Sequence, residues 1–234
     1  IVSKIVGNRV VGSYIAGFDK NSIREGISSL FYDKEVTIGY AKNTIDRNVR
    51  VLCEPFDIEV SSEEIIEKEQ FLFYANSNKY DFEKQSYNLF VIGSTWESRN
   101  YPKEQFVEIA NKLEIPTYIV WGSDEEKEKA LWMEKQSEFL TILPRGNLND
   151  LKSVIGNCKL LIGNDTGPTH MAWGLNIPSI TIFGPTPINR VYITPINKVI
   201  KSSSEIDHYK LNKNDFSINE IESDDIVDIA KDLL

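Results

Sequence analysis

LLIGNDTGPTHMAWGLNIPSITIFGPT, residues 160–186, runs from an apolar strand into a polar loop, a short helix, a second apolar strand and a Gly-Pro loop. In the loop, Gly167 precedes Pro168. The residue before a proline is pushed away from helical geometry, while proline itself is pre-set for the first helical position. The spacing therefore predicts a helix that starts at Pro168. Proline carries no N–H, so the donors at this start come from Gly167, Thr169 and His170, with the Thr166 and Thr169 hydroxyls nearby. Together with the positive end of the helix dipole they describe an anion site, and a ring N–H of His170 in the first turn can reach a phosphate oxygen. Asp165, at the strand end, repels phosphate but accepts hydrogen bonds from sugar hydroxyls. The pattern reads as a cradle for a phosphate bearing a sugar. In the alternative reading, Asp165 or Thr166 only caps the helix and His170 packs locally.

The flanking sequence repeats this alternation. From 87 onward, strand-length apolar runs (YNLFVIG, PTYIVWG, FLTIL, KLLIGN, SITIFG) alternate with helical runs (KEQFVEIANKL, DEEKEKALWMEKQ, NLNDLKSVIGN, GPTHMAWGL). This is the signature of βαβ units around a parallel sheet, closed by the acid-capped helix ESDDIVDIAKDLL. The first part is more irregular: a strand over 9–18, a helix over 21–34 opened by Asn21 or Ser22, a helical piece around 41–55, and a helix begun by Ser61 or Ser62 before paired glutamates. The polar, aperiodic stretch 75–86 reads as a linker, which places domains at 1–80 and 81–234.

In open parallel sheets, ligands bind beyond the carboxyl ends of the strands, and three more loops there carry chemistry. VIGSTWESRNYP offers the Ser94 and Thr95 hydroxyls and the Arg99 fork, suited to phosphate oxygens or, alternatively, solvated. VWGSDEEKEKA starts a helix with acids; one of them either serves the dipole or accepts from ribose hydroxyls. LPRGNLND turns at Gly146, where a flat base can lie against backbone. The GxGxxG fingerprint is absent, which disfavours NAD and FAD. No His/Cys/Asp/Glu cluster has metal-ligand spacing, and Ser94 lacks a GxSxG context. Met133, Trp132, Trp173 and Cys158 read as core, and His208 as a solvated loop residue.

The 234 residues allow one large or two small domains. The 26 basic against 35 acidic residues, net charge −9, argue against nucleic-acid binding as a main role. Cys53 and Cys158 form no CxxC and fit a reducing compartment. No apolar run approaches the roughly 20 residues that span a bilayer, and no signal peptide is evident. The start IVSKIV reads as the end of a helix, so residues are expected before Ile1.

The order strand, DTGPTH, small-residue helix, Pro-started strand, GPT resembles the signature of the bacterial lipopolysaccharide heptosyltransferases, glycosyltransferase family 9. SIREGISSLFYDK (22–34) and GSTWESRNYPKEQF (93–106) are similar to the heptosyltransferase I branch. The resemblance implies an α/β GT-B architecture, two Rossmann-like domains facing a cleft, the N-terminal one incomplete in this chain. It implies an enzyme that transfers heptose from ADP-heptose to the Kdo sugar of a Kdo-lipid A acceptor in the lipopolysaccharide inner core, with inversion, without metal or other cofactor. Such an enzyme is cytoplasmic and meets its lipid-linked acceptor peripherally at the inner membrane.

By position, the resemblance assigns the heptose hydroxyls to Asp165, the diphosphate to Thr166 and Gly167, and a place beside the phosphates to His170. Ser94 and Thr95 line the phosphate pocket, Glu126 meets the ribose and Gly146 sits by the adenine. Arg99 stands where the family commonly has lysine and is the candidate stabiliser of the leaving group. The family's acidic general base falls before Ile1. Two alternatives stay open: a GT-B enzyme with another nucleotide-sugar donor, and a nucleotide-binding module without catalysis.

Overall fold

The computed structural model describes residues 15–23, 26–77, 79–80 and 82–234. They fall into two compact units, one reaching Lys68 and taking in Asn189–Tyr192 and His208–Lys210, the other made of Glu69–Ile188, Ile193–Asp207 and Leu211–Leu234.

In the first unit, β1 (Ala16–Phe18) pairs in parallel with β2 (Lys34–Val36). Of the strand expected over 9–18, residues 9–14 lie outside the described residues, as does the start IVSKIV. The helix expected over 21–34 is not formed by the described residues there. Asp19 Oδ1 accepts the backbone N–H groups of Asn21 and Ser22 at 3.2 and 2.8 Å, a local turn that competes with helix formation. Only a 3₁₀ segment, Gly26–Phe31, follows before β2. The helix α1 (Thr44–Cys53) is capped by Asn43, whose side chain accepts from Ile45 N and donates to the Val191 carbonyl, both at 2.8 Å. Arg47 on α1 is buried between the rings of Phe18 and Tyr40. The short α2 (Ser62–Ile66) starts at Ser61 with a reciprocal Ser61–Glu64 capping box, as the serine before paired glutamates predicts. His208 belongs to this unit and is half-buried rather than solvated.

The second unit is a six-stranded parallel sheet: β3 (Asn88–Val91), β4 (Thr117–Val120), β5 (Leu140–Ile142), β6 (Leu160–Asn164), β7 (Ser179–Phe183) and β8 (Asn197–Lys201), in the order β5-β4-β3-β6-β7-β8. Alternate side chains of each strand leave opposite faces. Phe90, Ile92, Leu160 and Ile162 join one core cluster, whereas Leu89, Val91 and Leu161 join the other. The first cluster is covered by α3 (Lys103–Leu113), α4 (Asp124–Glu134) and α7 (Ser223–Leu233), the second by α5 (Leu148–Asn157) and α6 (Gly167–Gly174).

Each helix follows from its sequence. Phe106, Val107, Ile109 and Ala110 make one buried stripe on α3, Asn147 and Asp150 form a capping box on α5, and Asp224 and Asp225 sit in the first turn of α7. Each fully buried aliphatic or aromatic side chain contributes about 1.5–3 kcal/mol. The central strands β3 and β6, lined by such residues on both faces, are therefore the rigid base from which the site loops leave.

The division between units falls at Lys68/Glu69, not at the expected 80/81, and 75–86 is not a free linker. Its polar groups bind the second unit. Ala75 exchanges hydrogen bonds with the Asn149 side chain, each of 3.0 Å, and Ser77 Oγ donates to Asp150 at 2.6 Å. Tyr74, Tyr80 and Phe82 pack on the second core. Strands β2 and β8 have no counterpart in the sequence reading.

Candidate functional site

Strand order reverses between β3 and β6, the place where open α/β sheets bind ligands. Asn164, the last residue of β6, is fully buried and ties the two strand ends together. Its amide donates to the Ile92 carbonyl at 2.7 Å and accepts from Tyr101 N at 3.0 Å. The loop after β3, carrying Ser94, Thr95 and Arg99, is thereby fixed beside the loop after β6.

The helix α6 begins at Gly167, one residue before the expected Pro168, with Thr166 as its N-cap. Glycine lacks the Cβ that would clash with the ring of a following proline, so it enters the helix where another residue is held out. The first-turn donors are correspondingly redistributed. The His170 N–H is taken by the Thr166 carbonyl at 3.2 Å, and the Thr169 hydroxyl turns inward to the Asn164 carbonyl at 2.8 Å. Neither serves as an outward donor. Gly167, by contrast, faces open space, with nothing within 4 Å of where a Cβ would stand, so its N–H end of the dipole is approachable.

Asp165 and Arg99 differ from their expected postures. Asp165 is 2% exposed. Its Oδ2 accepts from Arg99 Nη2 at 2.8 Å and from the Thr186 hydroxyl at 2.9 Å, and Oδ1 lies 3.0 Å from His170 Nε2. Arg99 also donates to the Asp165 backbone carbonyl. The guanidinium thus pairs with the carboxylate instead of forking into open solvent: a buried cation next to a buried anion pairs, because burying either alone is far costlier. In this structure Arg99 positions Asp165 and does not stand ready as a direct stabiliser of a leaving group. The two carboxylate oxygens thus face different partners, Oδ2 the guanidinium and the Thr186 hydroxyl, Oδ1 the His170 ring.

Burial pushes the Asp165 carboxyl up, but His170, Arg99 and Thr186 outweigh it and hold it below the ordinary carboxylate value of 3.8. Its stabilising contribution is complete above the unfolded value and is lost as pH falls through 3.8 toward the lower folded value. The stability gap between wild type and Asp165→Asn, measured by urea unfolding, is therefore expected to be widest near neutrality and to shrink below pH 3.8. A gap independent of pH contradicts the assignment.

The Ser94 hydroxyl is shielded from solvent and has no partner, as is that of the fully buried Ser98. Shielded polar atoms normally find partners, and at a strand end beside the α6 start the Ser94 hydroxyl can donate to an anion. Thr95 is exposed.

Glu126 lies on α4, whose start is capped by Ser123 accepting from Glu126 N at 3.2 Å. Its Oε2 accepts the Gly122 N–H at 2.6 Å, so the residue does cap. The same carboxylate leans on the end of β3, where a Cβ at Gly93 would stand 2.0 Å from Oε1. Only glycine at 93 admits it, and it arrives next to Ser94. Gly146 lines a cavity of about 260 Å³ beyond β4 and β5, walled by Tyr80, Trp121, Gly122, Leu143 and Leu148 among others.

These residues form a line along the carboxyl edge of the sheet: the apolar cavity at β5 and β4, then Gly122 and Glu126, then Gly93 and Ser94 at β3, then Asp165 to His170 at β6. Thr186, from the GPT loop after β7, is a residue that the sequence reading left without a role. It is fully buried, and its signal was the GPT triplet at the end of the motif. Among the described residues, no group of three or more His, Cys, Asp or Glu side chains is placed to hold a metal ion, and no helix is long and apolar enough to cross a membrane.

Comparison with known proteins identifies the family. The family profile of glycosyltransferase family 9 (heptosyltransferase) matches residues 3–220. A lipopolysaccharide heptosyltransferase 1 from Campylobacter coli is 32% identical over 252 residues, covering 100% of this chain and 73% of that protein. The Pseudomonas aeruginosa lipopolysaccharide heptosyltransferase 1 is 26% identical over 178 residues, 74% of this chain and 48% of that protein. Thus the chain spans between about half and three quarters of the length of these curated relatives. Among solved structures, E. coli heptosyltransferase WaaC with ADP-2-deoxy-2-fluoro heptose superposes with a TM-score of 0.72 at 18% identity, over 100% of this chain and 69% of that one. At that identity the likeness shows the fold, the GT-B class expected. From the family match across most of its length and the Campylobacter relative together, the chain belongs to glycosyltransferase family 9, the heptosyltransferases.

Proposed function

We propose that the second unit binds ADP-heptose along the carboxyl edge of its sheet and that the protein transfers the heptose to the Kdo sugar of a Kdo-lipid A acceptor, with inversion and without a metal ion. The observation that carries this reading is the linear order of the site: an apolar slot for a flat base, a carboxylate for ribose, a helix start with the Ser94 hydroxyl for the diphosphate, and Asp165 Oδ1 with His170 for the sugar. In the transfer, an acceptor hydroxyl attacks the anomeric carbon from the face opposite ADP. The bond from that carbon to the phosphate oxygen breaks, ADP leaves with its electron pair, and the acceptor proton passes to a general base. The dipole and open N–H of the α6 start stabilise the charge that develops on the departing phosphate. Arg99 contributes through Asp165, whose orientation it fixes. The acceptor is lipid-linked, which places the encounter at the cytoplasmic face of the inner membrane.

Calorimetric titration tests the donor half of the reading. ADP is expected to bind at least about 10-fold more tightly than UDP, and Glu126→Ala to weaken ADP by about 10-fold, the scale of one hydrogen bond to a charged group. Equal affinity for ADP and UDP, or none for either, sinks it. Heptose transfer from ADP-heptose to Kdo-lipid A, followed by mass spectrometry with EDTA present, tests the remainder; dependence on added metal refutes the metal-free route.

A further inference from the structure

The aromatic wall of the apolar slot comes from an unexpected place. Tyr80 lies in the segment that reads as a linker, yet its ring lines the same cavity as Gly146, Trp121 and Leu143. Its hydroxyl donates to the Pro144 carbonyl, on the loop that carries Gly146. The ring stacks on Phe82, with centroids 5.4 Å apart and planes 15° from parallel, and Phe82 packs in turn against Tyr87 and Tyr118 of the core. Lys79 Nζ donates to the Arg145 carbonyl, and Ser77 is bonded to Asp150 on α5. The ring is therefore held from behind by stacking, at its tip by a hydrogen bond and along its backbone by its neighbours.

Both aromatic residues of the slot have their polar tips occupied. Trp121 Nε1 donates to the Leu143 carbonyl at 2.7 Å, and Tyr80 to Pro144. Burial, assisted by the Asp150 carboxylate, pushes the Tyr80 phenol up, so it remains a neutral donor to Pro144. What the two side chains leave for a ligand is ring surface, which suits a planar heteroaromatic group and carries an energy set by stacking rather than by hydrogen bonds.

We infer that Tyr80 is a binding residue that stacks on the nucleobase of the donor. The inference rests on the donor-nucleotide reading above and adds to it a residue from the segment by which the chain enters the second unit. Titration of ADP into wild type, Tyr80→Ala and Tyr80→Phe, with melting temperatures measured in parallel, separates the two. Tyr80→Ala is expected to weaken ADP by about 10-fold or more, on the scale of one stacked base, while still melting cooperatively above the temperature of the titration. Tyr80→Phe, which keeps the ring, is expected to recover most of the affinity. ADP binding to Tyr80→Ala within about 2-fold of wild type overturns the inference while leaving the donor reading intact. So does a Tyr80→Phe as weak as Tyr80→Ala, or a loss of affinity matched by a loss of thermal stability. A wild-type chain that does not bind ADP overturns the donor reading and this inference with it.

Discussion

Asp165→Ala is expected to lower the stability of the second unit by about 3–5 kcal/mol, the scale for removing one partner of a buried ion pair. The Arg99 side chain is 11% exposed and that of Asp165 is 2% exposed, so the guanidinium loses its carboxylate in a site largely closed to solvent. The Thr186 hydroxyl and His170 lose their acceptor in the same step. Arg99→Met alone is expected to destabilise for the mirror reason, an anion left without its cation. The double variant Asp165→Ala/Arg99→Met is expected to regain part of the loss, because two buried charges are removed together. Urea unfolding of the four proteins closes a double-mutant cycle. A coupling of at least about 1.5 kcal/mol supports a pair that is energetically real, and additive effects show that the contact carries no energy of its own.

The same pair marks where sequence reasoning stops. The helix start after β6 and the acid at its strand end were legible, because a Gly-Pro step and a carboxylate at a strand end have few structural meanings. Their pairing was not: Arg99 and Asp165 are separated by 66 positions, and only the strand order, with β6 beside β3, brings them together. A loop arginine therefore read as a free fork when it is in fact the counter-ion of the acid expected to hold the sugar. Glu126 was legible as a helix-start acid, and its carboxylate does accept the Gly122 N–H at 2.6 Å.

The fold was legible where periodicity is strong. The run KEQFVEIANKL coincides with α3 (Lys103–Leu113), and the strands of the sheet lie within the apolar runs read for them, with β8 the exception. That edge strand is half-buried and carries Lys198 and Lys201, residues that protect an edge and also dilute the apolar signal. The boundary was misplaced for a related reason. The stretch 75–86 has no periodicity because it is neither helix nor strand, but its Ala75 backbone and its Ser77, Lys79 and Tyr80 side chains bond to α5 and to the β5–α5 loop. Polar, aperiodic sequence signals the absence of regular structure, not the absence of docking.

Gly163→Ala is expected to cost about 1–3 kcal/mol, the usual scale of overpacking, or several degrees of melting temperature for a unit of this size. Gly163 lies in β6 opposite Val91 of β3, and an added Cβ would stand 2.6 Å from Val91 Cβ, 2.8 Å from the Val91 carbonyl oxygen and 3.0 Å from Thr169 Oγ1. The first two atoms cannot swing aside, since they belong to a strand paired on both edges. The third is the hydroxyl that holds the first turn of α6 to the end of β6. If the methyl group is accommodated at all, it is by a shift that reaches the start of α6, so ADP affinity should fall together with stability although residue 163 touches no ligand. Gly122→Ala provides the contrast within the same unit: its nearest neighbour, Glu126 Oε2, lies at an ordinary 3.5 Å, and its melting temperature should stay within about 0.5 kcal/mol equivalent of wild type. Should Gly163→Ala melt like Gly122→Ala, the close contact of β3 with β6 is not the constraint that fixes the start of α6.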